Sequence, residues 1–452
     1  RGRVTRRPLR GRLLAGVERT AGLGFLTLAL SRRWHYAWVV MAGAMVILAV
    51  SAGVRWSFGI LVYPLHEQFG WSVGAISFAY FLMFISAVPL VLMAGWLTDN
   101  FGLRLVMPVG VVLLTLGMLL TASVTQLWQF YLFYGVLVGG INMTFTALLS
   151  ATVTRWFHRR VGLAVGLVFA STGLGPLVLA PLFGWLIPSV GWRPTFLLIG
   201  IPGGLLMLVA ALLLRSHPGA LVTVAYGGYT GYWRHWSRRS AAPSVTLRMV
   251  QGDRTFWFLI AIHFLGCVGH SVLIAHLVPL ALLKGVPGLV AAGLISAVSG
   301  ASIASRFGIP ILTERWGGRA TLTLAFLVQS VAILMYLGAE SVFLLYLVSI
   351  LFGLGLGGEM SGFPIMNRRY YGTAAPLNSI HAWEWSGGLV GMALGGWLGG
   401  VLFDLSGSYT WSIWMAALGG LAALPFILSL PRWGAQQPIV TPTEKAEPVP
   451  SS

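Results

Sequence analysis

Twelve long apolar runs, parted by short stretches that hold most of the charge, constrain this chain more than any other feature of its sequence. They lie near 36–64, 73–97, 104–123, 127–154, 161–188, 194–214, 255–283, 288–313, 319–338, 342–367, 379–403 and 410–430. Each has room for the about 20 apolar residues that a helix needs to cross a bilayer. Inside lipid the backbone must satisfy its own hydrogen bonds, so each run reads as one helix. A water-soluble reading fails on composition. Only 9% of the 452 residues are charged and 57% are hydrophobic, whereas a soluble domain carries about 25% charged residues. The 58 glycines suit helices that pack closely in lipid. The apolar stretch Ala21–Leu30 is too short to span and has no small-residue cleavage pattern after it, so no cleavable leader is expected.

The net charge of +18 raises nucleic acid as a partner, but its placement argues against that. If the N-terminus is cytoplasmic, one side collects nine arginines between Arg1 and Arg33, then Arg104, Arg155, Arg159, Arg160 and Arg215. The same side takes Arg234, Arg238, Arg239, Arg248, Arg254, Arg315, Arg319, Arg368, Arg369, Arg432 and Lys445. The other side holds Arg193 and Lys284. One missed or invented helix would scramble this alternation, so twelve spans with both termini inside are expected. The organisation that follows is a basic N-terminal segment (1–35), a six-helix bundle (36–214), a central loop (215–253), a second six-helix bundle (254–430) and a disordered tail (431–452). The central loop is basic and carries Tyr226, Tyr229, Tyr232, Trp233 and Trp236, a composition suited to the surface of anionic membrane lipid.

The two bundles repeat one another. Gly95-Trp-Leu-Thr-Asp-Asn-Phe-Gly102-Leu-Arg104 resembles Pro310-Ile-Leu-Thr-Glu-Arg-Trp-Gly317-Gly-Arg319 at an offset of 215. Gly184-Trp-Leu-Ile-Pro-Ser-Val-Gly191 parallels Gly400-Val-Leu-Phe-Asp-Leu-Ser-Gly407 at 216, and Arg155-Trp-Phe parallels Arg369-Tyr-Tyr at 214. Parallel halves of this kind place a binding site between them, near the midplane.

With the G-x-L-x-D-x-x-G-x-R segment after span 2 and its degenerate copy after span 8, the chain resembles the major facilitator superfamily over roughly residues 35–430. Within it the chain is similar to the monocarboxylate transporter and oxalate–formate antiporter branch. The residues that carry this are Ser51-Ala-Gly-Val-Arg-Trp-Ser-Phe-Gly59, Arg155-Trp-Phe-His-Arg-Arg-Val-Gly-Leu-Ala-Val-Gly166, Gly191-Trp-Arg193, His276-Leu-Val-Pro279, Arg306 and Phe403-Asp-Leu-Ser-Gly-Ser-Tyr409. The chain departs from the animal carriers at two places. Trp56, with Arg55 before it, stands where they have a lysine, and Ser302 stands where they have an aspartate. The match is closer to bacterial members, which implies the bacterial inner membrane. The resemblance implies an all-α integral membrane protein of twelve helices in two pseudo-symmetric bundles. It also implies transport by alternating access, and a role for Arg306 and for Arg55 in holding substrate.

Charges inside a bilayer are costly and usually face a cavity. Four stand inside apolar runs: Arg55, Arg306, Glu359 and Glu384. A guanidinium stays charged and offers a carboxylate two parallel hydrogen bonds, so two across a cavity suit a small organic anion. The alternative is that each arginine is neutralised by Glu359 or Glu384, or snorkels to the interface. His263 and His270 share a face of span 7, and His270 is the repeat counterpart of Arg55, which places it on the cavity side if Arg55 is there. His270, Glu359 and Glu384 are candidates for a coupled proton, against plain interhelical bonding. His276, near the end of that span, suits a gate or packing role. Asn142, with Thr144 and Asn367, can line the site or bond between helices. The resemblance implies that Asp99, Arg104 and Arg155, repeated by Glu314, Arg315 and Arg319, hold the halves closed on the cytoplasmic side, the alternative being plain interfacial topology charges.

These features point to a secondary transporter of a small organic anion such as formate, oxalate, lactate or pyruvate, by proton symport or anion exchange. An exporter of a larger or cationic compound and a non-transporting sensor are the other readings. No cofactor or metal is expected, since the single Cys267 forms neither a disulfide framework nor a thiolate cluster. An enzyme is not expected either: the chain has no H-E-x-x-H pair, no G-x-S-x-G elbow and no P-loop. A monomer is expected to suffice.

Overall fold

In the computed structural model, residues 35–157, 159–216, 218, 226, 245–372 and 375–431 are described. The N-terminal basic segment, most of the central loop and the tail lie outside the described residues, as do the side chains of Asp99 and Glu314.

Among the described residues, twelve helices are long and apolar enough to cross a membrane. They are α1 (Tyr36–Phe69), α2 (Val73–Phe101), α3 (Leu103–Thr121), α4 (Leu127–Trp156), α5 (Val161–Val190) and α6 (Trp192–Leu213). The second six are α7 (Arg254–Leu283), α8 (Gly288–Trp316), α9 (Gly318–Met335), α10 (Val342–Tyr371), α11 (Leu377–Ser406) and α12 (Thr410–Ser429). The count matches the apolar runs, with ends shifted by a few residues. The first helix, α1, is interrupted at Ser57 and resumes at Phe58 to run on to Phe69.

Local chemistry sets several boundaries. Ser72 and Ser341 cap α2 and α10 by accepting from the amides of Ala75 and Leu344. The duplicated segments turn on matching glycines: Gly102 has φ 81° and ψ 152°, and Gly317 has φ 85° and ψ 153°. That backbone region is essentially closed to other residues. The duplication in the sequence is thus a duplication of backbone conformation.

Within each half, α1 packs on α5 and α7 on α11, and α8 lies along α10. The halves meet where α2 lies along α11, α5 along α8, and the second segment of α1 against α7. Asp404, at the end of α11, accepts from the amides of Val73 (2.9 Å) and Gly74 (2.7 Å) at the start of α2. Ser296 of α8 donates to the Leu177 carbonyl of α5 (2.9 Å). These contacts lie towards the face opposite the arginine-rich loops. On the arginine-rich face, Arg104, Arg155 and Arg319 have no ion-pair partner among the described residues.

Candidate functional site

Two arginines stand deep in the bundle, one from each half. Arg55 lies past the middle of the 34-residue α1, and Arg306 in the second half of the 29-residue α8. Both are half-buried. Their surroundings decide their chemistry. The Arg55 guanidinium donates to the thioether of Met143 at 3.2 Å, with the buried phenols of Tyr80 and Tyr134 near it. Arg306 donates through Nη1 to the Phe169 carbonyl (3.0 Å) and the Thr172 hydroxyl (2.7 Å) of α5. Its Nε is buried and has no partner among the described residues. Every one of these partners is neutral.

The carboxylates that could have neutralised the arginines are engaged elsewhere. Glu359 of α10 accepts from Nδ1 of His270 on α7 at 3.1 Å, and both side chains are 0% exposed. Gly266 makes this pairing possible, because a Cβ there would overlap Glu359 Oε1. Glu384 of α11 accepts from the Asn367 amide (2.7 Å) and faces His381 Nδ1 at 3.3 Å. The structural pairing of arginine with glutamate, one of the two readings of the sequence, is therefore not made. His270, expected on the cavity side if Arg55 is there, is 0% exposed and meets Glu359 between α7 and α10.

Three other polar residues of the spans, Asn142, His263 and His276, are buried. Asn142 is 2% exposed and donates to the Ser51 carbonyl at 2.5 Å, tying α4 to α1. It reaches that position after a ten-residue π-helical stretch of α4, Tyr131–Gly140, a wide-turn geometry that is frequent near functional sites. His263 is buried with neither ring nitrogen bonded, and its ring stacks on Phe363 at 4.5 Å. His276 donates from Nε2 to the Gly396 carbonyl (2.8 Å). Sequence reading missed Asp404 as a link between halves. The signals available were its position at the end of a span and its place in the segment Phe403-Asp-Leu-Ser-Gly-Ser-Tyr409.

A twelve-helix bundle of two repeated halves, with one half-buried arginine deep in each half, is the architecture of a membrane transporter. The chain matches the Major Facilitator Superfamily family model over residues 44–375 and belongs to that superfamily. It is similar to monocarboxylate transporter 13 of Bos taurus, 27% identical over 421 residues that cover 88% of this chain and 90% of that one. It is also similar to the oxalate:formate antiporter of Oxalobacter formigenes, 24% identical over 433 residues that cover 92% and 97%. Among solved structures, a D-xylose-proton symporter superposes with a TM-score of 0.72 at 14% identity, covering 89% of this chain and 100% of that one; the likeness is one of fold. The superfamily and these relatives are membrane transporters, not enzymes.

Proposed function

We propose that this protein exchanges small organic anions across a bacterial inner membrane, with Arg55 and Arg306 binding the substrate carboxylate. One observation carries the reading: two half-buried guanidinium groups, one from each half, whose described partners are all neutral. A cation as substrate would add to this uncompensated charge, whereas a carboxylate offsets it. The same argument favours exchange. An empty site carries two positive charges in a medium of low polarity, so reorienting it unloaded is costly, and reorienting it with an anion bound is not. The similarity to an oxalate:formate antiporter agrees with this, and formate, oxalate, lactate and pyruvate are the substrates to try first. Asp99, Arg104, Arg155, Glu314 and Arg319 are proposed as the contacts that close the arginine-rich, cytoplasmic face when the substrate faces outward.

The test is uptake of radiolabelled formate, oxalate, lactate and pyruvate into proteoliposomes. Saturable uptake that requires an unlabelled anion inside, and is lost in Arg306→Ala, is expected. Uptake driven by an inward proton gradient with no internal anion would replace exchange by symport. No uptake of any of the four by folded, inserted protein would send the reading back to a larger substrate or a sensor.

A further inference from the structure

We propose a buried binding site for a borderline divalent cation of the Zn²⁺ class inside the second half, built from Cys267, His270 and Glu359. Each residue offers one ligand atom, and the three atoms lie within 4.8 Å of one another. Cys267 and His270 are three residues apart on α7 and so share a face, while Glu359 comes from α10. All three residues are closed off from solvent. The site also has donor atoms to spare. His270 Nε2 and Glu359 Oε1 are buried with no hydrogen-bond partner among the described residues. A buried polar atom without a partner calls for an explanation, and a bound ion supplies one where several such atoms converge with a thiol.

The donor set selects the ion. One sulfur, one imidazole nitrogen and one carboxylate oxygen match the mixed ligands of Zn²⁺, with Co²⁺ and Cd²⁺ as close substitutes. A hard cation such as Mg²⁺ prefers an all-oxygen shell. Bond lengths of about 2.0–2.3 Å put tetrahedral ligands closer together than the present spread, so the three side chains contract by a rotamer-scale movement. Charge balance favours occupancy within the bilayer. A thiolate, a carboxylate and a neutral imidazole around a divalent cation sum to zero, so no net charge is buried. Three protein ligands leave one tetrahedral position for water or another small ligand. The ion links α7 to α10, and neither Arg55 nor Arg306 belongs to the shell.

The chain has a single cysteine, which makes the test sharp. Purified full-length protein in detergent, prepared without a histidine tag, is titrated with Co²⁺ and followed by near-ultraviolet absorption. A sulfur-to-cobalt charge-transfer band that saturates at one equivalent is expected, and it can arise only from Cys267. It should vanish in Cys267→Ser, bleach on addition of Zn²⁺, and need at least tenfold more Co²⁺ in His270→Ala and in Glu359→Gln. Size-exclusion profiles confirm that each variant is folded. Wild-type protein with no band at saturating Co²⁺ overturns the site. A band that keeps wild-type affinity in both the His270 and Glu359 variants also overturns it, since the thiol would then be acting without the other two ligands.

Discussion

Replacing Asp404 by asparagine tests whether the link between α11 and α2 holds the halves together. The two carboxylate oxygens accept from the amides of Val73 and Gly74, at 2.9 and 2.7 Å. Ser72 accepts from the next amide, that of Ala75. The first turn of α2 is therefore capped by its own serine and by a residue from the other half. An asparagine offers one acceptor oxygen in place of two and carries no charge. Losing one bond costs about 0.5–1.5 kcal/mol, and losing an anion at a helix N-terminus costs about 0.3–1 kcal/mol. Asp404 is exposed, so water replaces part of what is lost. A net shift of about 1 kcal/mol is reasonable, which raises the population opened at this face roughly fivefold. Ser77 reports on it: it is 0% exposed and faces Gly400 just behind the link. In a Ser77→Cys background, maleimide labelling of purified protein should run roughly fivefold faster with Asp404→Asn, measured against a parent that lacks the new cysteine. Equal labelling rates in the two proteins, both folded, would mean that the contact does not hold this face closed.

Other expectations follow from the same geometry. Arg306→Lys keeps a charge but loses the planar fork, and Arg306→Ala loses both. Anion exchange in proteoliposomes should fall in Lys and fall further in Ala, the latter by about 2 kcal/mol or more of binding, roughly 30-fold. Exchange by the alanine variant near the wild-type rate would remove this residue from the site. Asn142→Ala should lower thermal stability in detergent by about 1 kcal/mol through the freed Ser51 carbonyl, with substrate KM unchanged; a raised KM with unchanged stability would make Asn142 a lining residue instead. Gly102→Ala forces a side chain onto φ 81° and ψ 152° and should cost about 1–3 kcal/mol in thermal unfolding. An unchanged Tm there would show that the turn relaxes freely. Lys284→Met removes the ammonium that donates to the Tyr336 and Ala339 carbonyls at the end of α9. It should lower Tm with little change in exchange rate.

Much of this protein is legible in its amino-acid order alone. The twelve spans follow from the length and polarity of the runs, because lipid tolerates few other backbone arrangements. The duplication is visible because a turn that needs a glycine at positive φ keeps its glycine, as at Gly102 and Gly317. The four charges within apolar runs stand out because a charge in lipid is costly. What the sequence could not settle is their pairing. Arg55, Arg306, Glu359 and Glu384 are compatible with two ion pairs or with none. Which side chains meet depends on how each helix is rotated and how closely its neighbours approach. Small residues far apart in the chain, such as Gly266 beneath Glu359, set both. Tertiary packing joins Glu359 to His270, encloses Cys267 beside them, leaves both arginines among neutral groups, and brings Asp404 to the start of a helix some 330 residues earlier. The length and polarity of the runs thus determine a twelve-span bundle, and only the packing of its helices decides which charges are free to meet a ligand.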